Sequence, residues 1–183
     1  MEGLVTHQII QNLVKCVNFA TIKHKDQRRK DAEKTPYINH PIGVAYILTE
    51  EANISDLAVI QAALLHDTVE DTNTTFEEIK NHFGKEVHDI VVEVTDDKSL
   101  SWRQRRDLQI KNAGSSSYKA KLVKLADKLY NLRDLQRTTP VGWTKEHVDD
   151  YFQFSKQVTD GMKGTNVILE EKLNKLYKLW NLV

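Results

Sequence analysis

The stretch LAVIQAALL at residues 57–65 has apolar residues on nearly every side: Leu57, Ala58, Val59, Ile60, Ala62, Ala63, Leu64 and Leu65. A helix that is apolar all round has to be covered on every side by other elements. The segment therefore predicts a central, buried helix over about residues 56–70, with Ser55 as its cap. That helix runs into LLHDTVEDT, so its apolar body ends in His66, Asp67, Glu70 and Asp71. Carboxylates beside an apolar wall cost several kcal/mol unless something neutralises them. Such an end is either solvated or holds a cation.

The segments that would wrap this helix share its period. Thr6, Ile10, Leu13, Val17 and Ala20 mark one side of a first helix. Pro41 has the fixed φ suited to a first helical position, so a second helix is expected after His40, with His40 itself extended. Thr75 with Glu78 forms a capping box and Gly84 a stop, and Ser101 with Gln104 repeats the capping signal. The stretch from Ser99 to Ser117 reads as a loop with no assignable motif. Beyond it, Leu122, Leu125, Ala126, Leu129 and Leu132 define an amphipathic helix, and two more follow over about residues 145–160 and 166–180. With no period-two run, the expected fold is all-α.

At 183 residues, with seven Gly and three Pro, the expectation is one domain over residues 1–183 without linkers. Lys and Arg together number 26, as do Asp and Glu. This balance argues against non-specific nucleic-acid binding. No apolar run is long enough to span a membrane, no signal peptide is evident, and the lone Cys16 suits a reducing compartment, so a cytoplasmic location is expected. HKDQRRK, RQRR and the lysines at 119, 121 and 124 are locally basic; they are solvated, or they converge on a small polyanion.

On a continuous helix His66 would lie beneath Glu70, and Asp67 beneath Asp71, crowding four ligand-capable groups on one patch. A divalent cation is the natural remedy, and its remaining ligands have to come from elsewhere. His40 and Asp127 are the candidates. Taken singly, His40 reads as a packing histidine and Asp127, opposite the apolar stripe of its helix, as a solvated acid; together with His66 and Asp67 they read as a site.

HP at 40–41, LLHD at 64–67 and KLADK at 124–128 resemble the His, His-Asp and Asp elements of the HD-domain metal phosphohydrolases. RRKD (28–31), TPYINHPIGVA (35–45), ALLHDTVEDT (63–72), FG (83–84), VTDDK (94–98) and KLVKLADKLYNLRDL (121–135) are similar to the hydrolase domain of the RelA/SpoT family, most closely its short, single-domain animal members. The resemblance implies a compact multi-helix HD fold with one metal ion, usually manganese (Mn2+), on His40, His66, Asp67 and Asp127. Glu70 and Asp71 would activate or orient the attacking water. The implied reaction takes guanosine 3′,5′-bis(diphosphate), ppGpp, to GDP and pyrophosphate, with Arg29, Lys30, Lys98 and Asn131 contacting this small nucleotide. An alternative within the same resemblance is removal of the 2′-phosphate of NADPH. Tyr37 is either core or a base-stacking ring, and Trp143 and Tyr151 are candidates for the far wall of the cleft. A degenerate binding module would have lost a ligand or the acidic pair, and all six residues are present.

Overall fold

The computed structural model describes residues 2–183, with side chains from Val5 onward. The apolar segment forms α3 (Leu57–Leu65), and every residue from Ala58 to Leu65 is buried. Its cap is Asp56 rather than Ser55. The Asp56 carboxylate accepts from the backbone N–H groups of Ala58 at 2.9 Å and Val59 at 3.3 Å, and it meets Lys119 Nζ at 2.6 Å. A charged cap complements the positive end of the helix, which favours Asp over Ser here. Helices α1 (Glu2–Lys23), α2 (Asn39–Tyr46), α6 (Lys85–Val94) and α8 (Tyr118–Arg137) pack around α3. Truncating fully buried Leu65 to Ala would cost about 2–5 kcal/mol.

Contrary to the continuous helix expected through residue 70, α3 stops at Leu65. His66 Nδ1 donates to the carbonyl of Ala63 at 2.7 Å, and Thr68 Oγ1 donates to that of Leu65 at 2.6 Å. These side chains take carbonyls that a continuing helix would use. The chain turns, and a one-turn helix, α4 (Thr68–Asp71), follows. His66 and Asp67 thus occupy a turn between two helices.

His40 lies inside α2 rather than in an extended segment before it. The first turn of a helix tolerates proline because the N–H it lacks would have no partner there. The His40 N–H reaches Tyr37 O at 2.9 Å, and this tight turn overrides the extended bias before proline. After α2 the chain widens into a π-type turn over Ile47–Glu51, with the Ala52 N–H on Ile47 O at 3.0 Å.

In α1 the inward face is Cys16 and Ala20, flanked by Leu13 and Val17; Ile10, expected on that face, is exposed. Helix α5 (Phe76–Phe83) begins at the Thr75 cap and ends at Gly84, whose φ of +87° suits glycine. Helix α7 (Trp102–Asn112) fills most of the stretch expected to be a loop. None of its residues is buried, so no apolar stripe announces it, but its Ser101/Gln104 capping box is complete. Helices α9 (Lys145–Asp160) and α10 (Val167–Leu179) close the fold, with α9 against both α7 and α8. Among the described residues the one pairing of extended backbone is the bridge between Arg28 and Pro36, and no helix is long and apolar enough to cross a membrane.

Candidate active site

Three separate elements deliver four ligand-capable side chains to one point: His40 from the first turn of α2, His66 and Asp67 from the α3–α4 turn, and Asp127 from the middle of α8. His40 Nε2 and His66 Nε2 lie 3.1 Å apart. Asp67 Oδ2 stands 3.0 Å from the second imidazole nitrogen and 3.4 Å from the first. Asp127 Oδ1 is 3.2 Å from His40 Nε2 and 3.6 Å from His66 Nε2. Far from being a solvated acid, Asp127 leaves only 20% of its side chain exposed.

The donor set is compatible with a borderline divalent cation, two imidazoles and two carboxylates being a common mixture for such ions. The nitrogen that His66 turns towards the cluster is fixed by its other one, which is engaged with the Ala63 carbonyl. The Tyr37 hydroxyl donates to Asp67 Oδ2 at 2.5 Å, and Asn131 Nδ2 donates to Asp127 Oδ1 at 2.7 Å. Both carboxylates are therefore steadied from outside the cluster. Burial alone would push the Asp67 and Asp127 carboxyls up, but the neighbouring imidazoles outweigh it and hold both well below the usual carboxylate range. Burial likewise opposes protonation of His66, and the two carboxylates reverse that balance. The cluster draws positive charge to its centre.

Glu70 and Asp71 sit on α4, just past this centre. Burial pushes the Glu70 carboxyl up to about 7, helped by the negative charge of Asp67, Asp96 and Asp71. Glu70 Oε1 lies 3.4 Å from Arg105 Nη1, and Oε2 accepts from the Asp96 backbone N–H at 3.4 Å. Asp71 accepts from Gln27 Nε2 at 2.9 Å on one oxygen and from Lys98 Nζ at 2.7 Å on the other.

The remaining residues singled out in the sequence divide in two. Lys30 and Asn131 line a cleft of about 740 Å³ over the cluster, and Trp143 and Tyr151 form part of its wall. Arg29 is bound within the protein: its guanidinium meets Asp134 at 2.6 Å and Asn131 at 3.2 Å and lies over the Tyr37 and Tyr130 rings. Lys98 is half exposed and engaged by Asp71. Tyr37 is neither plain core nor a free stacking platform, since its hydroxyl is committed to Asp67.

Sequence reading named Arg105 and Arg106 only within the basic run RQRR and passed over Gln109 and Lys128; all four line the cleft. The signal for three of them was present. Trp102, Arg105, Arg106 and Gln109 fall at i, i+3, i+4 and i+7, one face of the helix that the capping box begins. Arg106 pairs with Asp150 and stacks on Trp102 and Phe154, 4.4 and 4.2 Å from the ring centres.

The family pattern described as HD domain matches residues 16–153. A guanosine-3′,5′-bis(diphosphate) 3′-pyrophosphohydrolase of Xenopus tropicalis, MESH1, is 62% identical over 165 residues, covering 90% of this chain and 92% of that protein. The protein of the same name from Homo sapiens is 60% identical over 166 residues, covering 91% and 93%. A solved structure, described as a metazoan ortholog of SpoT that hydrolyzes ppGpp and plays a role in starvation responses, superposes with a TM-score of 0.92 at 52% identity, covering 94% of this chain and 97% of its own. With this fold, this His/Asp cluster and these relatives, the chain belongs to the HD-domain family, among the short metazoan relatives of the RelA/SpoT hydrolases.

Proposed function

We propose that this chain hydrolyses the 3′-diphosphate of guanosine 3′,5′-bis(diphosphate) to give GDP and pyrophosphate, acting as one hydrolase domain over residues 1–183. The observation that carries this reading is the meeting of His40, His66, Asp67 and Asp127 beside Glu70 in a cleft edged with cationic side chains. In this reading those four residues hold one manganese ion, which when bound supplies Lewis-acid polarisation of phosphate and acidification of water.

Glu70 takes the proton of the attacking water. A carboxyl titrating near 7 is about half ionised at neutral pH, which suits a general base. Asp71 orients the water, held in turn by Gln27. Oxygen from water joins the phosphorus attached to the ribose 3′-oxygen, the bond from that phosphorus to the 3′-oxygen breaks, and the 3′-oxygen takes up a proton in exchange for the one that Glu70 removed from water. Lys30 and Asn131 meet the polyanion inside the cleft. Arg29 and Lys98 reach it by exchanging their present carboxylate partners for phosphate.

The test is a side-by-side turnover assay of the purified protein with ppGpp and with NADPH, manganese being added and then chelated. The expected result is manganese-dependent release of pyrophosphate from ppGpp, at a higher kcat/KM than phosphate release from NADPH. No turnover of ppGpp, or a preference for NADPH, overturns the reading.

A further inference from the structure

The cleft continues past the metal-ligand carboxylates into a recess between α7, α8 and α9, reached by Gln109, Lys124, Lys128, Phe154 and Val158. Lys128 is only 7% exposed, and its ammonium lies against aromatic faces, 4.7 Å from the centre of Phe154 and 5.5 Å from that of Tyr151. Its hydrogen-bonding neighbour is Tyr151, and among the described residues no carboxylate comes within ion-pairing distance of it. Burial opposes the ammonium, and the Tyr151 hydroxyl with the charges of Asp127 and Asp96 outweighs it, so the charge is kept while no carboxylate takes up its donors directly. One turn earlier, Lys124 opens onto the same recess, with its Nζ on Ser116 Oγ at 3.0 Å. From α7, Arg105 reaches only Glu70, at 3.4 Å, while its Nε is buried without a partner. Of the carboxylates near Lys124, Asp96 has one oxygen occupied by Gln109 Nε2 at 2.6 Å and Glu93 has one occupied by the Ser117 backbone N–H at 2.7 Å. Lys128 and Lys124 therefore keep donors that no carboxylate among the described residues contacts, and Arg105 keeps its Nε. The nearby Arg106 differs, being matched by Asp150.

We propose that Lys128, Lys124 and Arg105 form a subsite for the terminal phosphate of a diphosphate group. This rests on the ppGpp reading and deepens it: the His/Asp cluster takes the phosphate under attack, and the recess takes the terminal phosphate of a diphosphate on the same nucleotide. Ammonium and guanidinium donors around a buried pocket match a phosphate with three free oxygens. A nucleotide that carries only monophosphate esters has nothing to place there, so the recess selects diphosphates. In ppGpp such a terminal phosphate has two sources, the 3′-diphosphate that departs and the 5′-diphosphate that remains in GDP.

The test uses Lys128→Met, which keeps the length and ring contacts of the side chain and removes its charge. Binding of inorganic pyrophosphate and of inorganic phosphate to the manganese-loaded protein is measured by calorimetry. The expected result is about a tenfold or greater loss of pyrophosphate affinity with a less than twofold change for phosphate. In turnover, KM for ppGpp rises about as much while kcat stays within threefold. Guanosine carrying a 3′-diphosphate and 5′-monophosphate, compared with the reverse arrangement, assigns the source: the KM penalty follows whichever diphosphate occupies the recess. Lys124→Met, at a less buried position, has to show the same selective loss and stands in if Lys128→Met does not fold. Equal weakening of both inorganic ligands, or none, overturns the proposal. Calorimetry needs no turnover, so a parent protein that binds pyrophosphate through Lys128 yet leaves ppGpp intact overturns the functional reading and keeps the subsite.

Discussion

Gln27 Nε2 donates to Asp71 Oδ2 at 2.9 Å, and the oxygen of the same carboxamide faces His24 Nδ1 at 2.6 Å. Burial keeps the His24 imidazole below its ordinary pKa, so it is neutral and can donate to the amide oxygen. That fixes which end of the amide points at Asp71. The segment after α1 thus braces one member of the acidic pair from behind.

Gln27→Leu removes the brace without adding charge. We expect kcat for ppGpp to fall about tenfold with metal content unchanged, since one hydrogen bond to a charged group is at stake. Metal analysis and steady-state kinetics on the same preparation check it; an unchanged kcat leaves Gln27 without a role in orienting Asp71.

Tyr37 acts on the other side of the centre. Burial and the Asp67 charge push its phenol far up, so the hydroxyl remains a donor to Asp67 Oδ2 at any working pH. Tyr37→Phe should weaken manganese binding by about 10–100-fold, the usual cost of losing a partner that orients a ligand. Excess manganese should restore kcat. Asp67→Ala removes the ligand itself, and there excess metal should not restore activity. Both outcomes are read by titrating manganese against turnover.

Glu70→Gln keeps the shape of the side chain and removes its ability to accept a proton. Manganese should still bind, while kcat falls about 10²–10⁴-fold. Full activity in this variant would take Glu70 out of the mechanism.

Much of this architecture was readable from residue pattern because packing and pattern agree. Helix α9 runs over Lys145–Asp160, as its spacing indicates, and Leu122, Leu125, Ala126, Leu129 and Leu132 all point into the core. The all-round apolar face of α3 correctly placed it at the centre. Three features were hidden for separate reasons. Helix α7 buries no residue, so it carries no apolar period. The break after Leu65 comes from His66 and Thr68 side chains taking backbone carbonyls, a competition that hydrophobic spacing does not register. His40 is helical because the turn from Tyr37 starts the helix two residues before the proline. At the site, convergence depended on tertiary structure: nothing local to Asp127 tells it from a solvated acid. Nor does RRKD reveal that Arg29 meets Asp134, a residue 105 positions further along.

Gly43 of α2 lies under the Tyr130 ring of α8. A Cβ added there would overlap the Tyr130 ring, which in turn packs 4.9 Å from the His40 ring. Gly43→Ala should therefore lower Tm by several degrees, a shift of about 1–3 kcal/mol, despite the better helix propensity of Ala. It should also weaken manganese binding, because the ring that has to shift packs against His40. A variant with unchanged Tm and metal affinity would show that Tyr130 moves freely.

Glu51, at the end of the π-type turn, ties α2 to α8 and α10. Its two oxygens meet Arg133 at 2.6 and 2.9 Å, and Lys172 Nζ adds a third contact at 2.8 Å. Hydrogen bonding from Arg133, against the opposing effect of burial and with help from Lys172, holds the carboxyl at about 2 instead of 4.5. The folded chain keeps this group ionised at pH values where the unfolded chain protonates it. The stability it contributes is therefore complete above about pH 4.5 and is lost as pH falls towards about 2, with a magnitude of about 1–3 kcal/mol after allowance for solvent screening. Urea unfolding of the parent and of Glu51→Gln should show a gap at neutral pH that closes through this window. A gap that stays constant down to about pH 2.5 would assign the variant's loss to packing rather than to the charge on Glu51.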